Sequence, residues 1–258
     1  MLILLPPSEG KSAPRRGARL ALDRLSLPSL TPAREAVISA LVGLCSGDPA
    51  VAAEVLDVPK TQPELVELNA RLRTAPTARA DAIYTGVLYD ALDPATLSTA
   101  AKRRAAARVM VTSSVFGLVG FGDRIPAYRL SGDSTLPALG GVQAHWRGQL
   151  GPAVLEALGG GLLVDLRSGT YAAFWRPEEV AARTATVRVL HEVDGVRKVV
   201  SHFNKATKGR IVRALLESGT APRTPARLAD ALRDLGWTVE VGSPGRYGTQ
   251  LDVVVAEI

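Results

Sequence analysis

Two lysines at the start of an amphipathic segment suggest an anion site. Lys205 and Lys208 are three residues apart, and the apolar residues that follow, such as Ile211 and Leu215, repeat at helical spacing. We therefore predict a helix that begins near Lys205 and carries both ammonium groups in its first turn. Free backbone N–H groups and the positive end of the helix dipole attract anions. A solvated basic helix face is the alternative.

A second group of polar residues follows the first apolar run of the chain. After Leu2–Leu5 and two prolines come Ser8, Glu9 and Lys11, which place a hydroxyl, a carboxylate and an ammonium close together. Such a set can bind phosphate or transfer a proton. It is not a Walker A loop, because the GxxxxGK[ST] spacing is missing from this stretch.

Polar residues also follow two later apolar runs. Ser113 comes directly after residues 109–112, and Asp165 lies within residues 162–166. An ionised aspartate on a core strand is costly to bury unless a cation pairs with it, so Arg167 or a lysine of the opening loop is its expected partner. The sequence therefore allows two interpretations of Asp165, as part of a buried structural ion pair or as a functional carboxylate.

Two functions of different classes fit these residues. In the first, a basic cleft binds the phosphates of double-stranded DNA. In the second, the same cleft is the active site of an enzyme for a small anionic or nucleotide-like substrate, with Glu9 or Asp165 as general base and Tyr171 as a further catalytic candidate. The residues expected to bind the anion are Ser8, Lys11, Tyr84, Ser113, Arg129, Arg167, Ser168, Lys205 and Lys208.

The three histidines give no ligand pattern for a metal. His145, His191 and His202 have no HExxH or other tight spacing, and a lone histidine is usually a packed or surface side chain. No cofactor is evident. If a metal or haem does bind, His202 is the leading ligand because it borders the two lysines.

The strands must bring these residues together. Residues 2–5, 109–112 and 162–166 are continuous apolar runs, typical of buried strands. If they are parallel neighbours, their following loops open at one edge of the sheet and form a cleft there. Asp194-Gly195 predicts a hairpin turn between strands at 187–192 and 197–203, so the second of these leads into the lysines.

The order of elements indicates the fold class. Strands alternate with helical stretches such as residues 143–158 and 224–235, and the chain ends in two apolar strands at 237–241 and 251–256. We therefore expect a mixed α/β or α+β fold in which helices surround a central mixed sheet. No long linker divides the chain, so residues 1–258 are predicted to form a single domain.

Composition narrows the class of protein. The chain has 258 residues, a formal charge of +6, 47% hydrophobic and 22% charged residues, which suits a globular protein with one large core. One cysteine, Cys45, allows no internal disulfide, and the apolar start of the chain stops at two prolines after five residues. We expect a cytoplasmic protein without a membrane span, and a monomer is favoured.

Several segments together resemble one family. They are residues 1–11 (MLILLPPSEGK), Tyr84-Thr85-Gly86, Ser113-Ser114 running on to Pro126 through Leu130, the helix with Trp146, Val164 through Ser168 with Tyr171, and Val200 through Phe203 with Lys205, Lys208 and Gly209. Their order and spacing resemble the YaaA proteins of the peroxide stress response. This chain differs from the better-known branch of that family in having Ser8-Glu9-Gly10-Lys11 in the first loop and His202 where an aromatic residue is usual.

The resemblance implies properties that the residue patterns do not. It implies a single-domain α/β fold with a basic cleft, binding of double-stranded DNA through a helix-hairpin-helix element, and a role in limiting iron-driven damage under hydrogen peroxide.

Overall fold

A mixed sheet of eight strands forms the centre of the protein. The computed structural model describes residues 1–193 and 195–255, apart from the side chains of residues 193, 201 and 202. The strands in chain order are β1 (Leu2–Leu5), β2 (Ala78–Arg79), β3 (Val109–Ser113), β4 (Gly117–Gly120), β5 (Arg124–Ile125), β6 (Thr135–Leu136), β7 (Gly140–Gly141), β8 (Leu163–Asp165), β9 (Thr184–Val193), β10 (Val196–Lys198), β11 (Thr238–Gly245) and β12 (Gly248–Val255).

The middle of this sheet is parallel. Its order is β11-β12-β9-β8-β1-β3-β4, with β10 paired to β9. β1 lies between β8 and β3 and is parallel to both, which confirms the prediction that residues 2–5, 109–112 and 162–166 form neighbouring strands. All four residues of β1 are buried, as expected for a strand that is covered on both faces. The loops that follow these three strands therefore open at one edge.

Helices cover the sheet and complete one hydrophobic core. They are α1 (Thr31–Cys45), α2 (Pro49–Val55), α3 (Glu64–Ala70), α4 (Ala80–Ile83), α5 (Val87–Leu92), α6 (Thr99–Arg108), α7 (Val142–Arg147), α8 (Leu150–Leu158), α9 (Gly169–Ala172), α10 (Ser201–Ser218) and α11 (Pro225–Asp234). Short 3-10 turns lie at Leu22–Arg24, Pro28–Leu30, Pro94–Thr96 and Glu178–Arg183. The predicted mixed α/β class is confirmed.

The longest helix, α10, packs against α5, α6 and β9. Its contact with α5 is close because Gly209 has no side chain. A Cβ atom at this position would collide with the carbonyl oxygen of Leu88 in α5. The glycine therefore fixes how near α10 can come to α5, and both helices border the site described below.

The prediction for the region around the lysines was partly wrong. β9 and β10 pair as an antiparallel hairpin, although Asp194 of the predicted turn lies outside the described residues. The second strand ends at Lys198, and helix begins at Ser201 rather than near Lys205. The reason lies in packing on the sheet, because the ring of Phe203 in the first turn packs against that of His191 in β9, with ring centres 5.3 Å apart. The strand predicted over 197–203 crosses this boundary.

The early start of α10 changes where its lysines lie. Lys205 and Lys208 are the fifth and eighth residues of the helix, not members of its first turn. Only the first four N–H groups of a helix lack an intrahelical partner. The predicted placement of both lysines in the first turn is therefore wrong, and any anion near them must be bound by side chains.

Two other predicted elements differ less from the structure. The helix predicted over 143–158 is divided into α7 and α8 near Gly148. The helix predicted over 224–235 is confirmed, with Thr224 as its cap: the hydroxyl accepts a hydrogen bond of 3.3 Å from the amide of Arg227. The two predicted C-terminal strands form the β11–β12 hairpin.

Candidate functional site

The loop after β1 is fixed to the segment that precedes α5. The Ser8 hydroxyl donates to the carbonyl of Gly10 at 2.6 Å and accepts from the amide of Thr85 at 3.1 Å. Lys11 forms an isolated antiparallel bridge with Tyr84. The loop is therefore held by hydrogen bonds at several points, as a binding loop on a rigid scaffold should be.

A cleft of about 500 Å³ opens beside this loop. Such a volume is in the range of sites for small molecules. Its walls come from five separate parts of the chain: residues 6–11, residues 85–89, residues 129–133, α9 with its preceding residue, and α10. The polar side chains that line it are Ser8, Glu9, Lys11, Thr85, Arg129, Ser131, Asp133, Ser168, Thr170, Tyr171 and Lys205.

The amine of Lys11 is the most unusual group in the cleft. Its Nζ donates to the carbonyl oxygens of Ser8 at 2.6 Å and Glu9 at 3.3 Å, and lies 4.2 Å from the ring centre of Tyr128. Burial lowers the pKa of Lys11 to about 7, with a smaller contribution in the same direction from the charge of Arg129. A neutral amine is therefore accessible here near neutral pH.

A chain of buried hydroxyls lies beneath Lys11. Tyr128 contacts the hydroxyl of Ser113 at 2.8 Å and that of Tyr84 at 3.1 Å, and Ser113 accepts from the amide of Phe116 at 3.0 Å. Burial raises the pKa of Tyr84 and Tyr128 well above the usual value, so both phenols stay protonated. Ser113 and Tyr84 thus belong to the support of Lys11 and not to the lining of the cleft.

Two cations stand at the rim. Arg129 contacts the carboxylate of Glu9 at 3.3 Å, and its Nε is buried without a hydrogen-bond partner among the described residues. Asn69 fixes the arginine backbone, since its side chain accepts from the amide of Arg129 at 2.9 Å and donates to its carbonyl at 2.6 Å. Lys205 is exposed on α10. Glu9 offsets the charge of Arg129 and Asp133 also lines the cleft, so Lys205, which forms no salt bridge among the described residues, is the cation left to attract an anion at the rim.

Tyr171 forms part of the opposite wall. It lies in α9, and its ring packs against Phe174 with ring centres 5.2 Å apart. Burial raises the pKa of Tyr171 well above the usual value, so its hydroxyl is a protonated donor at neutral pH.

Asp165 and Arg167 form a buried ion pair away from this cleft. Arg167 donates to Asp165 through Nε at 2.9 Å and Nη2 at 2.7 Å, and their side chains are 1% and 7% exposed, respectively. The remaining arginine donors bind the carbonyls of Tyr171 and Trp175, so the pair holds the α9 segment in place. Burial opposes ionisation of Asp165, but the charge and hydrogen bonds of Arg167 outweigh it and keep the pKa below the usual value. These contacts favour the structural alternative for Asp165.

Lys208 has a similar structural contact. Its Nζ donates to the carbonyl of Leu166 at 3.1 Å. Burial lowers the pKa of Lys208, and the negative charge of Asp165 partly offsets that effect. Lys208 therefore joins α10 to the end of β8, and it does not line the cleft.

The structure thus brings together part of the predicted set. Ser8, Glu9, Lys11, Arg129, Ser168, Tyr171 and Lys205 line one cleft, whereas Tyr84, Ser113, Asp165, Arg167 and Lys208 surround or support it. The side chain of His202, the predicted metal candidate, lies outside the described residues. Within the described part of the chain, no three His, Cys, Asp or Glu side chains are grouped as metal ligands would be.

Two residues that matter here were missed from the sequence. Tyr128 contacts Lys11. Its position next to Arg129, a predicted anion-binding residue, was the signal in the sequence that could have identified it. Asn69 is fully buried in α3. An amide among the apolar residues of a helix must find hydrogen-bond partners, which was a reason to expect that it fixes another segment.

Comparison with known proteins identifies relatives along the whole chain. A family model described as peroxide stress protein YaaA matches residues 1–241. A UPF0246 protein of Streptomyces coelicolor is 57% identical, over all of this chain and all of its own length. A UPF0246 protein of Corynebacterium efficiens is 44% identical over 98% of this chain and 100% of its own. In the described residues, none of the helices combines the length and apolar character that crossing a membrane requires. The resemblance found in the sequence is confirmed: the chain belongs to the YaaA family of peroxide stress proteins.

Proposed function

We propose that this YaaA-family protein binds a small anionic molecule in the cleft and acts on it through Lys11. The observation that carries the proposal is a buried lysine amine, with a pKa of about 7, facing a cleft of molecular size. A lysine whose pKa lies near the working pH can both take up and release a proton.

The composition of the cleft favours a small ligand. Rim cations Arg129 and Lys205 suit one phosphate or carboxylate group, and the hydroxyls of Ser8, Ser168 and Tyr171 suit the polar body of a nucleotide or sugar. The walls come from five parts of the chain and surround a space of about 500 Å³. A DNA-binding face instead needs cations spread along a row of phosphates.

The structure favours Lys11 over the two carboxylates as the group that transfers protons. Asp165 is held in its ion pair with Arg167. The Glu9 side chain is 87% exposed at the mouth of the cleft, where it contacts Arg129. Lys11 is instead fixed by two backbone carbonyls, and its protonated form is stabilised by the face of the Tyr128 ring.

Calorimetric titration with nucleotides and sugar phosphates tests the proposal. Lys205→Ala should weaken binding of the tightest ligand by about tenfold, since loss of one charged contact is worth about 1.4 kcal/mol. Lys60→Ala, which removes the same charge from an exposed loop distant in sequence, is the matched control and should leave the affinity unchanged. Equal weakening by both variants, or no binding of any ligand in the panel, would argue against a specific anion site.

Binding of double-stranded DNA is the second candidate, favoured by the formal charge of +6 and by the exposed Lys205 at the rim. Of the five cations expected to bind the anion, Arg167 and Lys208 direct their donors to protein groups instead. A gel-shift titration distinguishes the candidates, because log K falls by about 0.9 per phosphate contact as log salt rises. A steep slope of log K against log salt, which corresponds to many phosphate contacts, would favour DNA binding if it is lost in the double variant Arg129→Glu/Lys205→Glu.

A further inference from the structure

Lys11 lacks the partner that buried lysines usually have. Within the described residues it forms no salt bridge, and the nearest carboxylate in sequence, Glu9, is paired with Arg129 instead. Its polar contacts are the carbonyls of Ser8 and Glu9, and its other neighbours are the rings of Tyr128 and Tyr84 at 4.2 and 5.7 Å. A structural lysine in such a place would be paired, because an isolated buried charge is costly.

These contacts allow the neutral amine as well as the ammonium form. A neutral amine has two N–H donors and one lone pair, and the two carbonyls accept from the two donors. No donor among the described residues hydrogen-bonds to the nitrogen itself, so the lone pair is left for a ligand. A desolvated lysine with a free lone pair is a nucleophile toward carbonyl carbon.

The same surroundings would stabilise the product of that attack. A protonated imine keeps one N–H, which can bind the closer acceptor, the carbonyl of Ser8 at 2.6 Å. Its positive charge would lie over the ring of Tyr128, where the lysine nitrogen now stands 4.2 Å from the ring centre. Tyr171 supplies a protonated hydroxyl on the wall of the same cleft.

We propose that Lys11 forms an imine with a small aldehyde or ketone that carries a phosphate or carboxylate group. The lysine nitrogen attacks the carbonyl carbon to form a carbinolamine, in which an N–C bond replaces the C–O π bond and one amine proton moves to the oxygen. Departure of that hydroxyl as water, with one proton supplied by solvent, leaves the protonated imine, in which the nitrogen keeps its second amine proton as the N–H. Tyr171 lines the same cleft and would donate a hydrogen bond to the departing oxygen, and Arg129 and Lys205 would bind the anionic group at the rim. This inference rests on the proposed function and names its class of substrate.

Reductive trapping tests it. The full-length protein is incubated near neutral pH with glyceraldehyde 3-phosphate, ribose 5-phosphate or pyruvate and with cyanoborohydride, which delivers hydride to the imine carbon and makes the link permanent. Intact mass and peptide mapping then locate the adduct. At pH 7 the neutral fraction of Lys11 exceeds that of an ordinary lysine by about 10³-fold, so the adduct should lie on Lys11 and not on exposed Lys60. Glyceraldehyde and ribose, which lack the phosphate, should label Lys11 far less.

Variants and a separate binding measurement complete the test. Lys11→Met should abolish the adduct and Lys60→Arg should preserve it, with thermal unfolding of each variant as the check on folding. The mapping on the unmodified protein decides the question even if Lys11→Met does not fold. If Lys11 is not labelled by any of the three probes, or is labelled no more than Lys60, the imine is refuted. If sugar phosphates still bind in a Lys205-dependent manner, the proposed function stands although the imine is refuted. If neither labelling of Lys11 nor Lys205-dependent binding is observed, the imine and the proposed function are both refuted.

Discussion

The amine of Lys11 is largely withdrawn from water, and this should affect the stability of the protein because the opposing charge of Glu9 offsets only part of the effect of burial. Its pKa of about 7 in the folded state is below that of a lysine in the unfolded chain. Between these two values the unfolded chain binds more protons than the folded one, so stability rises with pH from about 7 towards about 10. Below pH 7 both states are protonated, and the full unfavourable effect of burying the charge is present.

The change Lys11→Met should therefore stabilise the protein most at low pH. Urea unfolding of the variant and the wild type at about pH 6 and about pH 9 measures the difference. The advantage of the methionine should be large at the first pH and decline at the second. A difference that is the same at both values would mean that Lys11 titrates like an exposed lysine, and the argument for its reactivity would fail with it.

Asp165 offers a second prediction for a single residue. Replacing it by asparagine leaves the buried guanidinium of Arg167 without a counter-charge and should lower the free energy of unfolding by about 3–5 kcal/mol. Asp252, whose ion pair with Arg188 is more exposed, is the matched control, and Asp252→Asn should cost less than about 1 kcal/mol. Chemical denaturation measures both. An Asp165→Asn protein of wild-type stability that loses turnover would instead restore Asp165 as a catalytic candidate.

Among the elements, the contact between α5 and α10 controls the width of the cleft. Val87, Leu88 and Tyr89 of α5 line one wall, and Lys205 of α10 stands at the rim. Gly209 allows the two helices to touch. The position of Lys205 relative to Lys11 therefore depends on a glycine that is in neither the loop nor the lining.

The change Gly209→Ala should separate α5 and α10 and destabilise the protein by about 1–3 kcal/mol, despite the better helix propensity of alanine. Gly43 in α1 has open space where a Cβ would be added, so Gly43→Ala is the control and should stabilise by about 0.5–1 kcal/mol. Thermal unfolding distinguishes the two directions. Equal gains from both changes would mean that the helices can shift apart at no cost.

The elements also show how far the sequence could be interpreted. Continuous apolar runs identified β1, β3 and β8 because strands covered on both faces have no polar alternation to obscure them. The start of α10 was misplaced because Val199 and Val200 are β-branched and precede Phe203, which imitates a strand up to the helix boundary. Local propensity does not determine such a boundary when packing on β9 decides it.

The site was predictable where it depended on chain order and unpredictable where it depended on distant contacts. The loop with Ser8 and Lys11 was found because polar residues after a parallel strand face the ligand edge of a sheet. The contact of Lys11 with Tyr128 could not be predicted in this way, because it depends on the bridge between Lys11 and Tyr84 and on the folded position of residues 126–129. The sequence was enough to choose Arg167, rather than a lysine of the opening loop, as the partner of Asp165. The two residues lie two positions apart, and side chains at that spacing in an extended segment share a face.

On the scale of the whole molecule, the family and the cleft lead to one prediction in cells. A strain that lacks this gene should be sensitive to hydrogen peroxide, and the wild-type gene should restore survival. If the cleft chemistry serves this role, the Lys11→Met gene should fail to restore survival at equal protein level, while Lys60→Ala succeeds. Survival counts with immunoblots measure this, and full rescue by Lys11→Met would separate the peroxide role from the cleft.

The central place of β1 also has a consequence for synthesis of the chain. β1 is made before its two neighbours in the sheet, which begin only at Val109 and Leu163. At roughly 5–20 residues per second, the ribosome needs on the order of ten seconds or more to produce the second of them. During that time Leu2–Leu5, a strand that is buried at every residue in the finished protein, has no partner on at least one side. The emerging β1 segment is therefore a natural binding site for chaperones, and nascent chains arrested before β8 should be captured by them far more than chains arrested after it.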